Sequence, residues 1–311
     1  MSEKPSPLAI ISTLGRISNL PTVWTNCLAA WAINSSASER VRAIPEWVDF
    51  SSLDLTMLGL LLLGSSLLYM GGCTLNDAFD QKFDARHNPE RPIPSGQVSS
   101  GFVWAIGTTE MLLGAWVLVS FAYCQLIWVG ALASCIILYD AVHKHWSGSV
   151  VLMGGCRLLL WACAATAGAH QVVHPLAWIW GGALGCYVVG ISMYARGESR
   201  KDAEPSRISI IFLFASPLLA LAALVHWNNL DPIRVFLANI TGLFIGWIVF
   251  RSILQMRNGE NGAIGKGVSH LLAGICITDA VVASFCMPSM IIPCLCLYPF
   301  SLLLQKKFAA T

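Results

Sequence analysis

Apolar residues in this chain come in long runs, and polar residues in short clusters between them. A membrane-spanning helix needs about 20 mostly apolar residues. Ten stretches approach that length: Ile17–Ile33, Leu53–Leu75, Phe102–Phe121, Ala122–Tyr139, Val150–Ala169, Pro175–Met193, Ile208–Val225, Ile233–Ser252, Val268–Cys286 and Pro288–Leu304. The first is interrupted by Asn19, Pro21 and Asn26, and Arg16 stands just ahead of it. A signal peptide cleaved near Ala30-Trp31-Ala32 competes there, but the polar positions read as functional rather than removable. The last is short and broken by Pro293 and Pro299, which predicts a tilted or partly re-entrant segment. With no internal repeat, low-complexity tract or soluble segment, residues 1–311 read as a single membrane domain. The expected fold is all-α, a polytopic bundle of nine or ten transmembrane helices.

The basic residues give the orientation. Lys and Arg favour cytoplasmic connections. Counted over alternate connections, fifteen of the nineteen fall with the two termini and three on the opposite side, with Arg157 left inside a span. Both termini are therefore expected in the cytoplasm, and an odd number of spans would spoil the alternation. This predicts a multi-pass protein of the inner or cell membrane.

Composition narrows the classes further. Charged residues make up 12% of the 311, about half the share of an ordinary soluble domain, and apolar residues 56%. That excludes disorder and a soluble core, and a net charge of +2 gives no reason to expect nucleic acid as a partner. Nearly all of the eleven cysteines sit in apolar runs, where cysteine behaves as a small hydrophobe. The spacing of Cys294 and Cys296 fits no zinc template.

Two clusters on the cytoplasmic side carry candidate chemistry. Asn76-Asp77-x-x-Asp80-x-x-x-Asp84 follows the second run directly. If the helix continues past Leu75, these four side chains share one face. Unit charges ~5 Å apart repel by about 3 kcal/mol at an effective dielectric near 20, so such an arrangement is normally tolerated around a bound cation. Oxygen-only ligands point to a hard metal, Mg²⁺ before Ca²⁺. The prolines of the following His87-Asn88-Pro89-Glu90-Arg91-Pro92-Ile93-Pro94-Ser95-Gly96 predict a stiff turn that keeps Arg91 near the acids as a phosphate donor. The second cluster, from Tyr194 to Glu204 after the sixth run, places Glu198 and Asp202 four apart among Arg196, Arg200 and Lys201. Alone it reads as a solvated mixed-charge loop. Paired with the first cluster on the same membrane face, it predicts two metal ions sharing a bound diphosphate.

The first cluster, followed by Arg91-Pro92-x-Pro94-Ser95-Gly96, resembles the first aspartate-rich motif of the UbiA family of intramembrane prenyltransferases. Arg16-x-x-Asn19-x-Pro21-Thr22-x-Trp24-x-Asn26 is similar to that family's first-helix pattern. Tyr139-x-x-x-His143-Lys144 resembles its Tyr-then-Lys/Arg element, and Tyr194, Glu198 and Asp202 fall where it has Tyr-x-x-x-Asp-x-x-x-Asp. The resemblance implies a helical bundle around a central cavity whose cytoplasmic mouth the two acidic motifs cap. It also implies Mg²⁺-assisted loss of diphosphate from a prenyl diphosphate, then attack on the allylic cation by a hydrophobic acceptor, aromatic or otherwise electron-rich, within the membrane lipid. Carried over residue by residue, it assigns Asp77, Asp80, Asp84, Glu198 and Asp202 to catalysis and, with Asn76, to the metal. Glu198 in place of aspartate, and the extra apolar segment at the C-terminus, suggest a divergent branch resembling the UbiA-like proteins of Ebo clusters.

Other candidates rest on position. Lys144 beside Tyr139 is expected to reach the diphosphate, and Asn19 and Asn26 to face the cavity; Asn76, Arg91, Tyr194, Arg200 and Lys201 complete the expected substrate contacts. Arg157 either binds the diphosphate or an acidic acceptor, since an unpaired arginine in a membrane helix is costly, or snorkels to the surface. His143 and His145 point in different directions on a helix and read as interfacial. Two rivals remain: a membrane terpene cyclase with no separate acceptor, and a non-catalytic prenyl-lipid-binding or transport protein.

Overall fold

The computed structural model describes residues 7–38, 54–197, 207–226, 231–257 and 262–308. Every regular element among them is helical: α1 (Pro7–Leu14), α2 (Leu20–Ser38), α3 (Leu55–Phe79), α4 (Gln81–His87), α5 (Ser100–Ser120), α6 (Leu126–Val142), α7 (Val150–Ala165), α8 (Pro175–Gly197), α9 (Arg207–Leu213), α10 (Ala215–His226), α11 (Pro232–Arg257), α12 (Ala263–Cys286) and α13 (Ile291–Lys307). Seven of these, two counted with their 3-10 lead-ins, are long and apolar enough to cross a membrane, and α6 is a shorter apolar helix. All ten expected runs fall on helices.

Two runs differ from expectation in a way the prolines explain. The seventh is not one helix but two, α9 and α10, hinged at Phe214. Pro217 has no N–H for the carbonyl four residues back, so it sits in the first turn of a new helix, where none is needed. The last run is one continuous helical segment, long and apolar enough to cross a membrane. Pro288 opens a 3-10 turn and Pro293 falls in the first turn of α13; only Pro299 lies in its interior. There α13 packs on α2 and α12, and Ser301 Oγ donates to Ser18 O at 3.3 Å. The first run forms α2, a core element packed on α12, α7 and α3 with Val23, Cys27, Ala30 and Ala32 wholly buried.

The bundle has an inside and an outside. α12 is buried almost throughout, while α5 and α11 turn Leu112, Trp116, Leu243, Trp247 and Phe250 outward, as helices facing lipid do. The antiparallel pair α3 and α5 is held close by glycines seven apart on each helix. A Cβ on Gly71 would lie 2.7 Å from Met111 N, and one on Gly114 2.6 Å from Leu68 N. Small residues permit this approach, which is how membrane helices gain packing without a hydrophobic drive. The pairing matters for function because α3 carries the first acidic cluster at its C-terminal end.

α2, α3, α6, α7, α8 and α12 surround a cavity of about 850 Å³. Its walls are apolar, with Val23, Leu68, Ile136, Leu160, Ile191 and Ile275 contributed one from each helix. The polar lining is concentrated where α3, α6 and α8 end.

Candidate functional site

The acidic cluster lies where α3 passes into α4. Asp80 caps one helix and opens the next with helical dihedrals. Its N–H donates to Asn76 O and the N–H of Asp84 to Asp80 O, each at 2.9 Å. The four-residue repeat therefore continues through the junction. Asn76, Asp80 and Asp84 are buried on one face, with Asp77 beside them.

Each acid meets a cation of the chain itself. Arg91 Nη1 lies 2.9 Å from Asp84 Oδ2 and 3.3 Å from Asp77 Oδ1. Arg16 Nη2 stands 3.7 Å from Asp77 Oδ1. His143 Nε2 and Lys144 Nζ both lie 3.1 Å from Asp80 Oδ2. Burial alone would push the Asp80 carboxyl up, but the hydrogen bonds and charge of His143 and Lys144 outweigh it and hold it below the ordinary carboxylate range. The repulsion expected among the acids is thus already offset by side chains. Among the described residues no group of three or more His, Cys, Asp or Glu is arranged to hold a metal by itself.

Local sequence explains how these cations arrive. Gln97 and Val98 N–H both donate to Pro92 O, and Gly96 closes the turn at φ +74, which suits glycine. Asp84 is turned inward to this loop: Asn88 Nδ2 donates to its Oδ1 at 2.8 Å while Arg91 holds its Oδ2. Leu14, Ala78, Ile93 and Val103 form a small core that seats the loop on α1, α3 and α5. Arg16 occupies the left-handed region at φ 45 between α1 and α2. That is uncommon for a residue with a Cβ, and it is the point where the chain turns so that the guanidinium meets Asn76 and Asp77.

Asn76 bridges two helices. Its Nδ2 donates to Asp140 Oδ1 at 2.9 Å, and its Oδ1 accepts from Arg16 Nη2 at 3.4 Å. Tyr139 lines the cavity and stacks on His143, with ring centroids 4.9 Å apart, and Lys144 Nζ sits 4.2 Å over the Phe83 ring. Arg196, on the last turn of α8, donates to Ser147 O and to Ser149 Oγ, which pins α8 to the connection between α6 and α7.

Of the residues expected from sequence, Asn19, Asn76, Asp80, Arg91, Tyr139, Lys144 and Arg157 line the cavity. Asp77 joins them through Arg91 and Arg16. Asp84 supports Arg91 from behind. Tyr194 is buried and does not line the cavity. Asn26 does not face it either: it is wholly buried and donates through Nδ2 to Asp279 Oδ2 at 2.7 Å. Arg157 does not snorkel, because its guanidinium donates inward to Asn26 Oδ1 at 2.8 Å and Thr22 Oγ1 at 3.0 Å. Glu198, Arg200, Lys201 and Asp202 lie outside the described residues. Sequence reasoning misplaced His143, which faces Asp80 rather than the interface. It also passed over Arg16 as a site residue and missed Asp140 and Asp279. Asp140 gave a signal of its own, as an acid one residue after Tyr139 at the end of an otherwise apolar run.

Together these features define an integral, multi-pass helical membrane protein with an apolar cavity opening onto a rim of acids and bases. The chain belongs to the UbiA prenyltransferase family, whose profile matches residues 47–258. A 4-hydroxybenzoate octaprenyltransferase of Polaromonas sp. is 23% identical over 256 residues, which is 74% of this chain and 83% of the relative. A mitochondrial 4-hydroxybenzoate polyprenyltransferase of Drosophila pseudoobscura pseudoobscura is 31% identical over 104 residues, 32% of this chain. The chain spans about a quarter of that fly protein, 26% of its length. Among solved structures, a UbiA homolog from Aeropyrum pernix K1 superposes with a TM-score of 0.60 at 17% identity, covering 86% of this chain and 96% of that one. A structure described for digeranylgeranylglyceryl phosphate synthase in membranes also gives a TM-score of 0.60, at 16% identity, covering 91% of this chain and 98% of that one.

Proposed function

We propose that this protein transfers a polyprenyl group from a prenyl diphosphate to a hydrophobic, aromatic acceptor inside the membrane, with Mg²⁺ at the acidic rim. The observation that carries the reading is the junction of two environments in one cavity. Basic side chains at the rim suit a diphosphate, and apolar walls below suit a prenyl chain.

Mg²⁺ fits the donor set. Asn76, Asp77 and Asp80 offer oxygen alone, which suits a hard cation. Mg²⁺ is commonly held by one or two carboxylates plus substrate phosphates rather than by an all-protein cage, in keeping with the lack of a self-sufficient metal cluster among the described residues. Asn76, Asp77 and Asp80 would hold it on this side, with Glu198 and Asp202 as the second half of the site and Asp84 in support. When bound, it offsets the charge of the diphosphate and stabilises it as a leaving group.

The chain's own residues do the rest. Arg16, Arg91, Lys144 and Arg196 receive the charge that grows on the diphosphate as the allylic C–O bond breaks and the electron pair leaves with oxygen. The Tyr69 ring and the walls formed by Leu68, Leu132 and Ile275 keep water from the allylic cation and stabilise it. A carbon of the acceptor then bonds to the cation, and the acceptor ring loses a proton. The basic bias of one membrane face supports both termini being cytoplasmic and the rim opening to that side.

The test is incubation of membranes with labelled prenyl diphosphates of several lengths and aromatic acceptors, followed by mass analysis. Asp77→Ala and Asp80→Ala should each lower transfer at least ~10²-fold, the scale for a lost transition-state electrostatic contact, while insertion is retained. Full activity in either variant, or no diphosphate release by the parent protein, would refute the reading. Products formed from the donor alone would identify a cyclase.

A further inference from the structure

Among the described residues, Arg157 is the one basic residue of the cavity lining that does not come from the rim. Its depth follows from α3. Its Cζ lies 5.9 Å from the centroid of the Tyr69 ring, and Tyr69 precedes Asn76 by seven residues, about 10 Å of helix rise. An arginine at that depth is costly to keep unless it has a partner or a task. Among the described residues no carboxylate forms an ion pair with it. A carboxyl group is reached through an amide: Asn26 Oδ1 accepts from Arg157 Nη1 at 2.8 Å, and Asn26 Nδ2 donates to the wholly buried Asp279 at 2.7 Å.

The hydrogen bonds say which edge of the guanidinium is spent. Nη1 uses both of its hydrogens, on Asn26 Oδ1 and on Thr22 O at 3.4 Å. Nη2 uses one, on Thr22 Oγ1 at 3.0 Å. The edge shared by Nη1 and Nη2 is therefore turned to α2. The other edge, Nε–H with the second hydrogen of Nη2, makes no hydrogen bond among the described residues. Two parallel N–H groups on such an edge match the two oxygens of a carboxylate. A single charge with this geometry suits a planar monoanion, whereas a diphosphate would be better served by the several bases of the rim.

We propose that the Nε–Nη2 edge of Arg157 is a preformed carboxylate site on the inner wall of the cavity. It binds a hydrophobic molecule bearing one carboxylate, and Asn26 and Asp279 position the guanidinium. The inference rests on the proposed function only in naming that molecule as the acceptor. The carboxylate is drawn inward and the reacting carbon is left toward the rim, where the allylic cation forms.

The experiment is equilibrium binding to the purified full chain in nanodiscs, without turnover. The probes are labelled 4-hydroxybenzoate, its uncharged methyl ester, and geranyl diphosphate as the ligand of the rim. Arg157→Lys keeps the charge and loses the fork; Arg157→Met loses both. Each should weaken 4-hydroxybenzoate at least tenfold and leave geranyl diphosphate within twofold, which also shows that the variant has folded. The ester should bind the parent protein at least tenfold more weakly than the acid. Asp279→Leu should act as Arg157→Lys does, and Asp279→Asn, which can still accept from Asn26, should restore most of the acid binding. Equal acid binding in the parent and both Arg157 variants, an ester as good as the acid, no acid binding by the parent, or a parallel loss of geranyl diphosphate would each overturn the proposal. If the acid binds through Arg157 but no prenyl group is ever transferred, the transferase reading falls and this site stands.

Discussion

Replacing Arg91 with methionine tests whether the acidic rim is held together by the chain's own cations. The substitution keeps most of the apolar stem and removes the guanidinium. Asp84, whose side chain is 2% exposed, loses its contact of 2.9 Å on Oδ2 and keeps only Asn88 on Oδ1. A hydrogen bond to a charged group contributes about 1.5–3 kcal/mol. Asp77 loses a longer contact of 3.3 Å but retains Arg16, so its share is smaller, roughly 0.5 kcal/mol. Arg91 is itself 29% exposed, and solvent screening favours the lower end. The expected loss is then about 2 kcal/mol, or roughly 4 °C in melting temperature for a chain of this size. The assay is thermal unfolding in detergent with chelator present, repeated with millimolar Mg²⁺. Because Asp84 is left without its cation and Asp77 with Arg16 alone, Mg²⁺ should recover more of the loss in Arg91→Met than it adds to the parent protein. An unchanged melting temperature in chelator would refute the claim that Arg91 balances these acids. A loss that Mg²⁺ does not reduce would refute their availability to a metal.

Other outcomes follow from the same geometry. Since His143 and Lys144 hold Asp80 below its ordinary range, its ionised form stabilises the fold above the unfolded value of about 3.9. That contribution fades as pH falls through the lowered folded value. The melting temperatures of the parent and Asp80→Asn should therefore differ near neutral pH and converge in acid below about pH 4; a gap that widens on acidification would show the sign to be wrong. On α3 and α5, Gly71→Val and Gly114→Val force a side chain against backbone atoms at 2.7 Å and 2.6 Å. Each should destabilise by about 1–3 kcal/mol or more, seen as a lower melting temperature and yield. Gly59→Ala, where a Cβ meets nothing within 4 Å, should be neutral or slightly stabilising, and an equal loss there would refute the close-packing account.

Much of this architecture was readable without coordinates, because lipid imposes a strong rule. A chain that crosses it must satisfy its backbone within helices and keep charge at the ends, so apolar length alone marked all ten runs, and the motif Asn76 to Asp84 announced itself by spacing. The breaks were less legible. Pro217 divides a helix and Pro299 does not, since the outcome depends on whether neighbouring helices hold the chain in place. Sequence gives the direction of the His143 side chain along its own helix but not what stands opposite; Asp80, 63 residues earlier, is what places it at the site. The contacts around Arg157 reach farther still, with Asn26 131 residues from Arg157 and Asp279 253 residues from Asn26 in the chain.

The sequence by itself determined that this is a helical membrane protein of the UbiA type, with acids gathered at one end of its second long span. Helix formation in lipid and the repeat of four are local, and local pattern is what a sequence records directly. Only the tertiary structure decided which cation meets which acid, that Asn26 faces Asp279 instead of the cavity, and which edge of Arg157 is left unused. Those are contacts between helices far apart in the chain, set by how bundled helices rotate and pack against one another.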